Sequence, residues 1–351
     1  MLRLAMRDLQ WRRRRFAIAT LGVALVFGLT LVITGVSTGF LSEANNTVSQ
    51  MGASEWVVRQ GADGPFLGSS PFPMRTAADV SGLPGVVQAV PTVYTHRDVI
   101  KGATVVSVNV YGAPTGNLGM PLPSQGRQPS GPHEIMISTK LKGYPIGSHL
   151  LLAAHRFTVV GLVDDSTALA GTPNTFLTVR GAQSVAFAGL PVASAVAVRG
   201  TVPPSLPHGL SVVSNTAARD DLLRALGSAR SSITLIALLL WLVAAMIVGS
   251  VIYVSVLERQ RDFAVFKATG MSTGSILTSL GAQALVLSVV AALIGMVIAR
   301  IIQPLFPLPV TLTLGAYLLL PVIAVAVGFL ASVFGVRRAV TVEPALAFAG
   351  P

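Results

Sequence analysis

The sequence contains several stretches that are long, apolar and free of any charged side chain. The first covers residues 16–36, and its 21 residues are enough, at 1.5 Å per residue, to cross a hydrocarbon core about 30 Å thick. Three further stretches of this kind occur late in the chain, at residues 231–257, 271–299 and 311–336. The sequence therefore predicts an α-helical integral membrane protein with four transmembrane helices.

The distribution of positive charge predicts how these helices are oriented. Residues 1–15 carry six arginines, four of them in the run Arg12–Arg15, against one acidic residue, Asp8. A second basic segment, residues 337–351, begins with two arginines directly after the last apolar stretch. By the positive-inside rule both termini face the cytoplasm, and residues 37–230 lie outside. The excess of Arg over Lys is typical of a GC-rich bacterium, so we expect a multi-pass protein of the bacterial cytoplasmic (inner) membrane.

Residues 1–15 also have a helical pattern of their own. Leu2, Ala5, Met6 and Leu9 are spaced to share one face of a helix, with arginines elsewhere. This pattern predicts an amphipathic basic helix on the inner membrane surface, serving as a lipid anchor or as a contact with a partner protein. A cleaved signal peptide is the alternative interpretation, but the apolar stretch exceeds the usual 7–15 residues and lacks an Ala-x-Ala-like site.

Residues 37–230 are less hydrophobic and predict a mixed α/β extracytoplasmic domain inserted between helices 1 and 2. The first residues of this region are polar and are expected to continue the first helix as a stalk. Short β-branched segments bounded by Gly and Pro predict strands, and two segments predict helices, with Thr76 and either Asn215 or Thr216 as N-caps. The predicted strands are Glu55–Arg59, Val105–Tyr111, Glu134–Ile137, Phe157–Val163 and Val192–Val198, and the predicted helices are Thr76–Leu83 and Ala217–Leu226.

Composition argues against several other classes of protein. The formal net charge is +11, but residues 37–230 are nearly balanced in charge, so no nucleic-acid partner is predicted. The sequence has no cysteine, which excludes disulfides, and its five histidines show no metal-binding spacing. Two Gly-x-Ser-x-Gly strings, Gly35–Gly39 and Gly270–Gly274, lie at the ends of membrane helices, which is the wrong context for a hydrolase. The predicted transmembrane helices lack Asp, Glu, Lys and His, which argues against an ion-coupled carrier.

Three groups of motifs give the chain a resemblance to a known family. Glu258–Ser272 resembles the segment E-R-x-R-E-[IF]-x-x-[LF]-[RK]-A-x-G-[AM]-S, with Asp262 and Lys267 in place of the usual Glu and Arg. Arg337–Ala339 with Glu343–Leu346 resembles the C-terminal ending R-x-A…P-x-x-A-L. A third group has the order found in MacB-like periplasmic core domains: Leu83–Val86, Val110–Gly112, Gly126–Arg127, Glu134–Ser138, Ile146–Gly147 and Phe157–Leu162.

Together with the layout of one helix, a large outer domain and three helices, these motifs resemble the FtsX/MacB-like ABC transporter permeases. The resemblance implies a permease subunit whose residues 258–270 dock on a separate ABC ATPase subunit, itself a dimer. Phe263 and Phe266, three residues apart and surrounded by charged side chains, suit a helix that docks in a groove, whereas an ordinary solvated loop is the alternative. The predicted ATPase-coupling residues are Glu258, Arg259, Arg261, Asp262, Phe263, Phe266, Lys267 and Gly270.

The chain itself carries no recognisable nucleotide site. It has no Gly-x-x-x-x-Gly-Lys-Ser/Thr motif and no Gly-Lys pair, so it cannot hold nucleotide phosphates in a P-loop. We therefore predict that this chain is not an enzyme and holds no cofactor. ATP and Mg²⁺ are expected to bind to the partner ATPase.

Small residues recur four positions apart, once in each predicted membrane helix. Such pairs allow two helix backbones to approach closely. We expect them to pack helices within the chain or against a second copy of it, in a homodimer surrounded by membrane lipid. The predicted helix-packing residues are Ala24, Gly28, Ala245, Gly249, Ala291, Gly295, Ala331 and Gly335.

Three functions are compatible with this organisation. The favoured one is the export or extraction of a hydrophobic or peptide-like substrate, powered by ATP hydrolysis on the partner subunit and carried out through a change of shape in the outer domain. The first alternative is a mechanotransmission relay that activates an extracytoplasmic partner such as a cell-wall hydrolase. The second is an uptake permease for a small solute such as an amino acid, although the cytoplasmic segment is not of the E-A-A-x-x-x-G type.

Overall fold

The chain divides into two compact units. One unit contains the residues up to Thr38 together with those from Arg230 onward, and we call it the membrane unit. The other contains Gly39–Ala229, and we call it the α/β domain. The computed structural model describes residues 13–101, 104–204, 206–258, 265, 269 and 272–340, with the backbone alone for residues 13, 15, 101, 273, 276, 277 and 331–340.

Helices account for most of the described membrane unit and for a smaller share of the α/β domain. A short 3₁₀ segment, Gln303–Leu305, lies between the last two helices. The helices are α1 (Arg13–Gln50), α2 (Thr76–Ser81), α3 (Val179–Phe187), α4 (Asn215–Arg224), α5 (Gly227–Glu258), α6 (Thr273–Ile302) and α7 (Leu314–Val340).

The strands all belong to the α/β domain. They are β1 (Glu55–Arg59), β2 (Phe72–Pro73), β3 (Val86–Lys101), β4 (Thr104–Gly112), β5 (Gln125–Gly126), β6 (Glu134–Ser138), β7 (His149–Leu152), β8 (His155–Val163), β9 (Thr167–Ala168), β10 (Thr172–Leu177), β11 (Val192–Ala193), β12 (Ala195–Gly200) and β13 (Leu210–Ser214).

Three of the described helices are long and apolar enough to cross a membrane. They cover Phe16–Gln50, Gly227–Glu258 and Thr278–Leu305. In α7 the apolar stretch with described side chains, Leu314–Leu330, is shorter than these three. The three long spans agree with the predicted transmembrane helices, whereas the predicted fourth crossing is not confirmed.

The four long helices of the membrane unit share one apolar core. Large apolar side chains on the opposite faces, such as Leu25, Leu238 and Val297, are exposed, which suits helices surrounded by lipid. The buried core includes Val23, Ala24 and Phe27 of α1, Ala244 and Val248 of α5, Ala284, Leu287 and Ala291 of α6, and Leu320 and Ala324 of α7.

The α/β domain is built on a large mixed sheet. Its strand order is β13-β1-β12-β3-β4-β10-β6-β8-β5, with β7 joining β3 to β8 and β9 pairing with β10. Two of the pairings, β10 with β4 and β6 with β8, are parallel, and the others are antiparallel. A separate two-stranded ribbon is formed by β2 and β11.

Helix α3 covers one face of this sheet and closes its main apolar core. The core contains Val93, Val110, Ile135 and Phe157 from the strands, together with Ala182 from the helix. A side chain at Gly112 of β4 would collide with Ala182, so the glycine allows the helix to pack directly on the strand. A second apolar cluster lies under α2, around Val57, Val80, Val196 and Val198.

The predicted secondary structure of this domain is confirmed in several places and incomplete in others. The strand Glu55–Arg59 has the predicted bounds, and three further predicted strands differ from β4, β6 and β8 by at most two residues at an end. The 16-residue strand β3 was not predicted, because Pro91 lies within it and argues against a ladder strand. Helix α3, which begins with Thr178 as its N-cap, was also missed.

Three local predictions are wrong. The predicted strand Val192–Val198 is divided into β11 and β12 at Ser194, whose hydroxyl accepts a hydrogen bond from Tyr94 N at 3.1 Å. Thr76 lies inside α2 and does not cap it, since Arg75 precedes the helix without a side-chain cap. The cap of α4 is Ser214, whose hydroxyl accepts from Ala217 N at 3.3 Å, instead of Asn215 or Thr216.

Candidate functional site

The residues predicted to couple the chain to an ATPase lie mostly outside the described residues. Glu258 is described as the exposed last residue of α5. Between it and α6, Thr269 N donates to Val265 O at 3.0 Å, the i to i−4 hydrogen bond of an α-helix. The docking role of this segment remains a prediction. Outside the described residues are Arg259, Arg261, Asp262, Phe263, Phe266, Lys267 and Gly270.

In the membrane unit, two of the predicted small-residue pairs face each other. A Cβ atom at Gly28 of α1 would lie 3.0 Å from Gly295 O, and one at Gly295 of α6 would lie 2.9 Å from Ala24 O. Ala24 and Ala291 are also fully buried. The backbones of α1 and α6 are therefore in direct contact at this crossing, with no room for a larger side chain.

The other two pairs are placed differently. Ala245 and Gly249 of α5 are only partly buried, and for Ala331 and Gly335 of α7 only the backbone is described. The contact between α6 and α7 is instead made at Gly328, where a Cβ atom would lie 3.1 Å from Ala284 O. Gly328 is not among the residues predicted from the sequence, although Ala324 and Gly328 have the same four-residue spacing as the predicted pairs.

The connection between α6 and α7 is held against α1 at a further glycine. Thr311 N donates to Gly35 O at 3.0 Å, and a Cβ atom at Gly35 would lie 2.8 Å from both Val310 Cγ1 and Leu312 Cδ2. Gly35 also begins one of the two Gly-x-Ser-x-Gly strings, and here that string forms part of a continuous helix. Its glycine serves close packing.

Within the α/β domain, α1 ends in a polar segment that we call the stalk, residues 39–50. Glu43 of the stalk is only 8 % exposed, and its carboxylate accepts hydrogen bonds from Thr167 Oγ1 and, at 3.1 Å, from Gly171 N. Thr47 Oγ1 donates to Thr167 O at 3.2 Å, one helical turn further along. A carboxylate that accepts such bonds away from water is held firmly, because charge-assisted hydrogen bonds are stronger than neutral ones.

The loop that receives Glu43 has an unusual backbone. Leu169, Ala170 and Gly171 have φ values of 52°, 65° and 88°, all in the left-handed region. For the two residues with a Cβ atom this conformation costs on the order of 1 kcal/mol each. Successive residues bent in this way can turn backbone N–H groups toward one anion. We call residues 169–171 the stalk cradle.

A chain of buried polar side chains extends from the stalk into the sheet. Asn174 of β10 donates to Thr47 Oγ1 at 3.3 Å, and its own oxygen accepts from Asn109 Nδ2 of β4 at 3.0 Å. Tyr94 of β3 then donates its hydroxyl to Asn109 Oδ1 at 3.2 Å. Both asparagines are fully buried, so each depends on these partners.

The α/β domain contains a second buried carboxylate with backbone partners. Asp221 of α4, the helix that precedes α5, accepts from Phe66 N and Gly68 N, both at 2.8 Å. Burial raises the pKa of Asp221, and the two backbone N–H groups act in the opposite direction. Phe66 in turn packs edge-on against Trp56 and Tyr94, with ring centroids 5.3 and 5.6 Å away.

Asn215, at the start of the same helix, completes this attachment. Its side chain accepts from Trp56 Nε1 at 2.9 Å and donates to Ala53 O at 2.8 Å. Ala53 follows α1 by three residues, so α4 is bonded to the segment that leaves the stalk. The sequence predicts Asn215 only as a local cap and does not indicate these long-range partners.

Comparisons with known proteins match both parts of the chain. A family model described as MacB-like periplasmic core domain matches residues 16–204. A second model, described as FtsX-like permease C-terminal, matches residues 234–344.

Related sequences match over the whole length. The uncharacterized ABC transporter permease Rv0072 of Mycobacterium tuberculosis is 48% identical over 351 residues, which is 100% of both chains. The uncharacterized ABC transporter permease Mb2592 of Mycobacterium bovis is 47% identical over the same extent. Among solved structures, the periplasmic region of MacB from Actinobacillus actinomycetemcomitans aligns at 11% identity, with a TM-score of 0.35, over 49% of this chain and 94% of that one.

Proposed function

This chain belongs to the ABC transporter permeases with FtsX-like and MacB-like domains, and we propose that it converts ATP hydrolysis on a separate subunit into a change of shape in its α/β domain. The family matches confirm the resemblance that the motifs indicated. A permease of this kind works with a partner ATPase subunit. The substrate class and the mechanism are part of this proposal.

The observation that carries the proposal is the continuity of α1. It is one uninterrupted helix of 38 residues, roughly 57 Å long at 1.5 Å per residue. At Gly28 it contacts the backbone of α6, and at Glu43 it is bonded to the stalk cradle. A helix fixed at both places transmits a displacement along its axis, because its internal hydrogen bonds resist stretching.

In the proposed mechanism, two ATPase subunits bind residues 258–270 of two copies of this chain. ATP and Mg²⁺ bind in those subunits, and their closure moves α5 and α6, which flank the coupling segment. Movement of α6 displaces α1 through the Gly28 and Gly295 contact. Glu43 then passes the displacement to the stalk cradle, and Thr47 passes it through Asn174 and Asn109 to β10, β4 and β3.

We further propose that α7 is a fourth crossing and that both termini are cytoplasmic in a bacterial inner membrane. The full α7 has 27 residues, roughly 40 Å of helix at 1.5 Å per residue, which exceeds the thickness of the hydrocarbon core. Arginines occur before and at the start of α1 and again near the end of α7, as the positive-inside rule requires for this topology.

The substrate class we favour is hydrophobic or peptide-like, exported or extracted from the membrane. The buried side chains of the described membrane unit include Thr30, Ser255, Gln283 and Ser288 but no charged group. A hydrophilic solute would need a polar path through the bundle, whereas a membrane-embedded substrate needs only an apolar route to the outer domain.

The test is purification of the chain in mild detergent together with its ATPase, followed by measurement of ATP hydrolysis in proteoliposomes. We expect an ATPase to co-elute and Phe263→Asp to abolish its stimulation by the permease. Phe263→Leu, which keeps an apolar side chain, should retain most of the stimulation. Recovery of no ATPase, or equal stimulation by both variants, contradicts the proposed coupling.

A further inference from the structure

A cavity of about 420 Å³ opens in the α/β domain where the end of β3, the start of β4 and residues 139–144 meet. This volume is within the range typical of small-molecule sites. The described residues that line the cavity are apolar, basic or, like Thr104 and Tyr144, hydroxyl-bearing, and none of them is acidic. The proposed function does not use this cavity.

One wall of the cavity is the end of the main apolar core of the domain. Val99 of β3 pairs with Val106 of β4, and both contact that core. Val99 is fully buried, and Leu141, in the segment after β6, is 5 % exposed. A ligand in the cavity would therefore lie against apolar side chains, which favours an apolar chain over a fully hydrated ion.

Two lysines line the cavity on either side of Leu141 in the sequence. Lys140 and Lys142 are exposed, whereas Leu141 between them is buried. The backbone here is held by Ser138, whose carbonyl accepts from Leu141 N at 3.0 Å and whose hydroxyl accepts from Lys140 N at 3.2 Å. Only four of the 25 basic residues of the chain are lysines, so half of all its lysines line this one cavity.

One carboxylate of the chain already contacts this site. Asp165 Oδ1 lies 2.9 Å from Lys140 Nζ, and the side chains of Lys140 and Asp165 are 53 % and 77 % exposed. An ion pair with this exposure is weak, because water screens it and both side chains lose freedom when they pair. A lysine ammonium has three N–H donors, so a second acidic group can share Lys140 with Asp165 or replace it.

We propose that this cavity binds a small amphiphilic anion, with an acidic headgroup, carboxylate or phosphate, at Lys140 and Lys142 and a short apolar chain against Val99, Val106 and Leu141. The lysines supply charge-assisted hydrogen bonds, and the apolar wall supplies hydrophobic contact. A neutral apolar molecule lacks the first interaction, and a simple ion lacks the second. The proposal does not require that the anion be transported, so it is independent of coupling to an ATPase.

The experiment is amine labelling of the full-length chain in phosphatidylcholine nanodiscs, with the labelling rate of each lysine measured by mass spectrometry. The probes are octanoate and octyl phosphate, compared with acetate, which lacks the chain, and octanol, which lacks the charge. At about ten times the half-protecting concentration, an acidic probe should slow the labelling of Lys140 and Lys142 about tenfold, because only free sites react. Lys267, in the predicted coupling segment, is the internal reference and should label at an unchanged rate.

Three substitutions should weaken the protection. Lys142→Met should raise the half-protecting concentration, measured at Lys140, about tenfold, because a charged hydrogen bond is lost. Val106→Phe and Thr104→Trp place larger side chains in the cavity and should abolish the protection of both lysines. Val106 is only partly buried and Thr104 is exposed, so both positions can accept a larger side chain.

A fourth substitution should strengthen the protection. Asp165→Asn removes the competing carboxylate and should lower the half-protecting concentration at Lys140 about threefold. Asp165 has a φ of 46°, in the left-handed region that asparagine tolerates, so the backbone is expected to keep its conformation. Misfolding cannot produce such a gain in binding.

Several results would overturn the proposal. Equal protection by octanol indicates apolar binding alone, and equal protection by acetate indicates ion pairing at surface lysines alone. Full protection in both filled variants, an unchanged half-protecting concentration in Asp165→Asn, or no protection by either acidic probe also contradicts it. Protection by only one acidic probe supports the site and identifies its headgroup. The measurement contains no ATPase, so failure of this proposal leaves the proposed coupling unaffected.

Discussion

The two halves of helix α1 are attached to their surroundings by different chemistry. In the membrane half, Gly28 and Gly35 place the helix backbone directly against α6 and against residues 310–312. In the outer half, Glu43 is attached through charge-assisted hydrogen bonds to a loop. In lipid, an apolar side chain gains little free energy by moving from the acyl chains to a contact with another helix. Close contact between backbones therefore determines which helix faces pack together. Outside the membrane, a buried carboxylate must find donors, and these donors determine where the helix is held.

The largest expected effect comes from filling the membrane contact. In Gly295→Leu the new side chain would meet Ala24 O, a backbone atom that cannot move without displacing α1. We expect a loss of more than about 3 kcal/mol of stability, or failure to form the bundle. This loss of stability is measured by thermal unfolding of the full-length chain in detergent. The matched control is Gly22→Leu, which adds the same side chain where a Cβ meets no atom and should change the midpoint little; equal midpoints for both variants would show that α1 and α6 do not touch here.

The next largest effect is at the outer attachment. Glu43→Ala removes the acceptor of Thr167 Oγ1 and Gly171 N, and we expect it to weaken the attachment of the stalk by about 2 to 3 kcal/mol. Hydrogen exchange at the amide of Gly171 in the full-length chain measures this directly, and exchange should become faster. Asn45→Ala, at an exposed position on the same helix, is the control and should leave that amide protected. Unchanged exchange in Glu43→Ala contradicts the attachment.

The second buried carboxylate, Asp221, makes the stability of the chain depend on pH. Burial raises the pKa of Asp221 in the folded state, so the folded chain binds a proton more tightly there than the unfolded chain does. Stability from this group is therefore fully present below its ordinary pKa and is lost as pH rises through the raised folded pKa. Asp221→Asn should abolish this part of the pH dependence and cost about 1 to 2 kcal/mol near neutral pH, because Phe66 N or Gly68 N then faces an amide N–H₂. Unfolding of the wild type and the variant, followed by Trp fluorescence from pH 4 to pH 8, tests it; parallel pH profiles would exclude the assignment.

The smallest expected effect has the opposite sign. Ala170→Gly leaves the contacts of Glu43 in place and relieves a left-handed conformation, at the cost of a more flexible unfolded chain. We expect a gain in stability of less than about 1 kcal/mol, because relief of the strain slightly outweighs the added flexibility. The measurement is the unfolding midpoint of the wild type, Ala170→Gly and Ala170→Val. The valine variant should be clearly less stable than the wild type. A stable Ala170→Val variant would mean that the loop is not held in this conformation.

Parts of the α/β domain could be predicted because their signals are local. The strand Glu55–Arg59 has two adjacent valines next to a tryptophan, with turn residues on both sides. Strand β3 could not be predicted in this way, since Pro91 normally marks an edge and here pairs with Val196 inside the sheet. The local sequence at Pro91 therefore argues against a strand inside a sheet, and only the pairing with neighbouring strands shows that β3 is one.

The candidate site was less accessible to prediction than the fold. The four-residue spacing of small residues occurs at Gly28 and Gly295, where two backbones approach closely, but it also occurs at Ala245 and Gly249, which are only partly buried. Nothing in the sequence near Glu43 distinguishes it from a solvated stalk residue. Its partner Thr167 is 124 positions away, and the cradle that receives it is defined by backbone angles.

The amino-acid sequence is enough to predict a membrane permease with an inserted domain. The evidence is local: long uncharged apolar stretches, the positions of the arginines and the order of the family motifs. These features belong to contiguous residues, so they can be recognised without knowing which residues are in contact. The tertiary structure alone decided which glycines touch, which carboxylates are buried and where a cavity opens beside Lys140 and Lys142. Each of these features depends on atoms brought together from distant parts of the chain. Burial, hydrogen bonding and steric exclusion act only between atoms that lie within a few ångströms of one another.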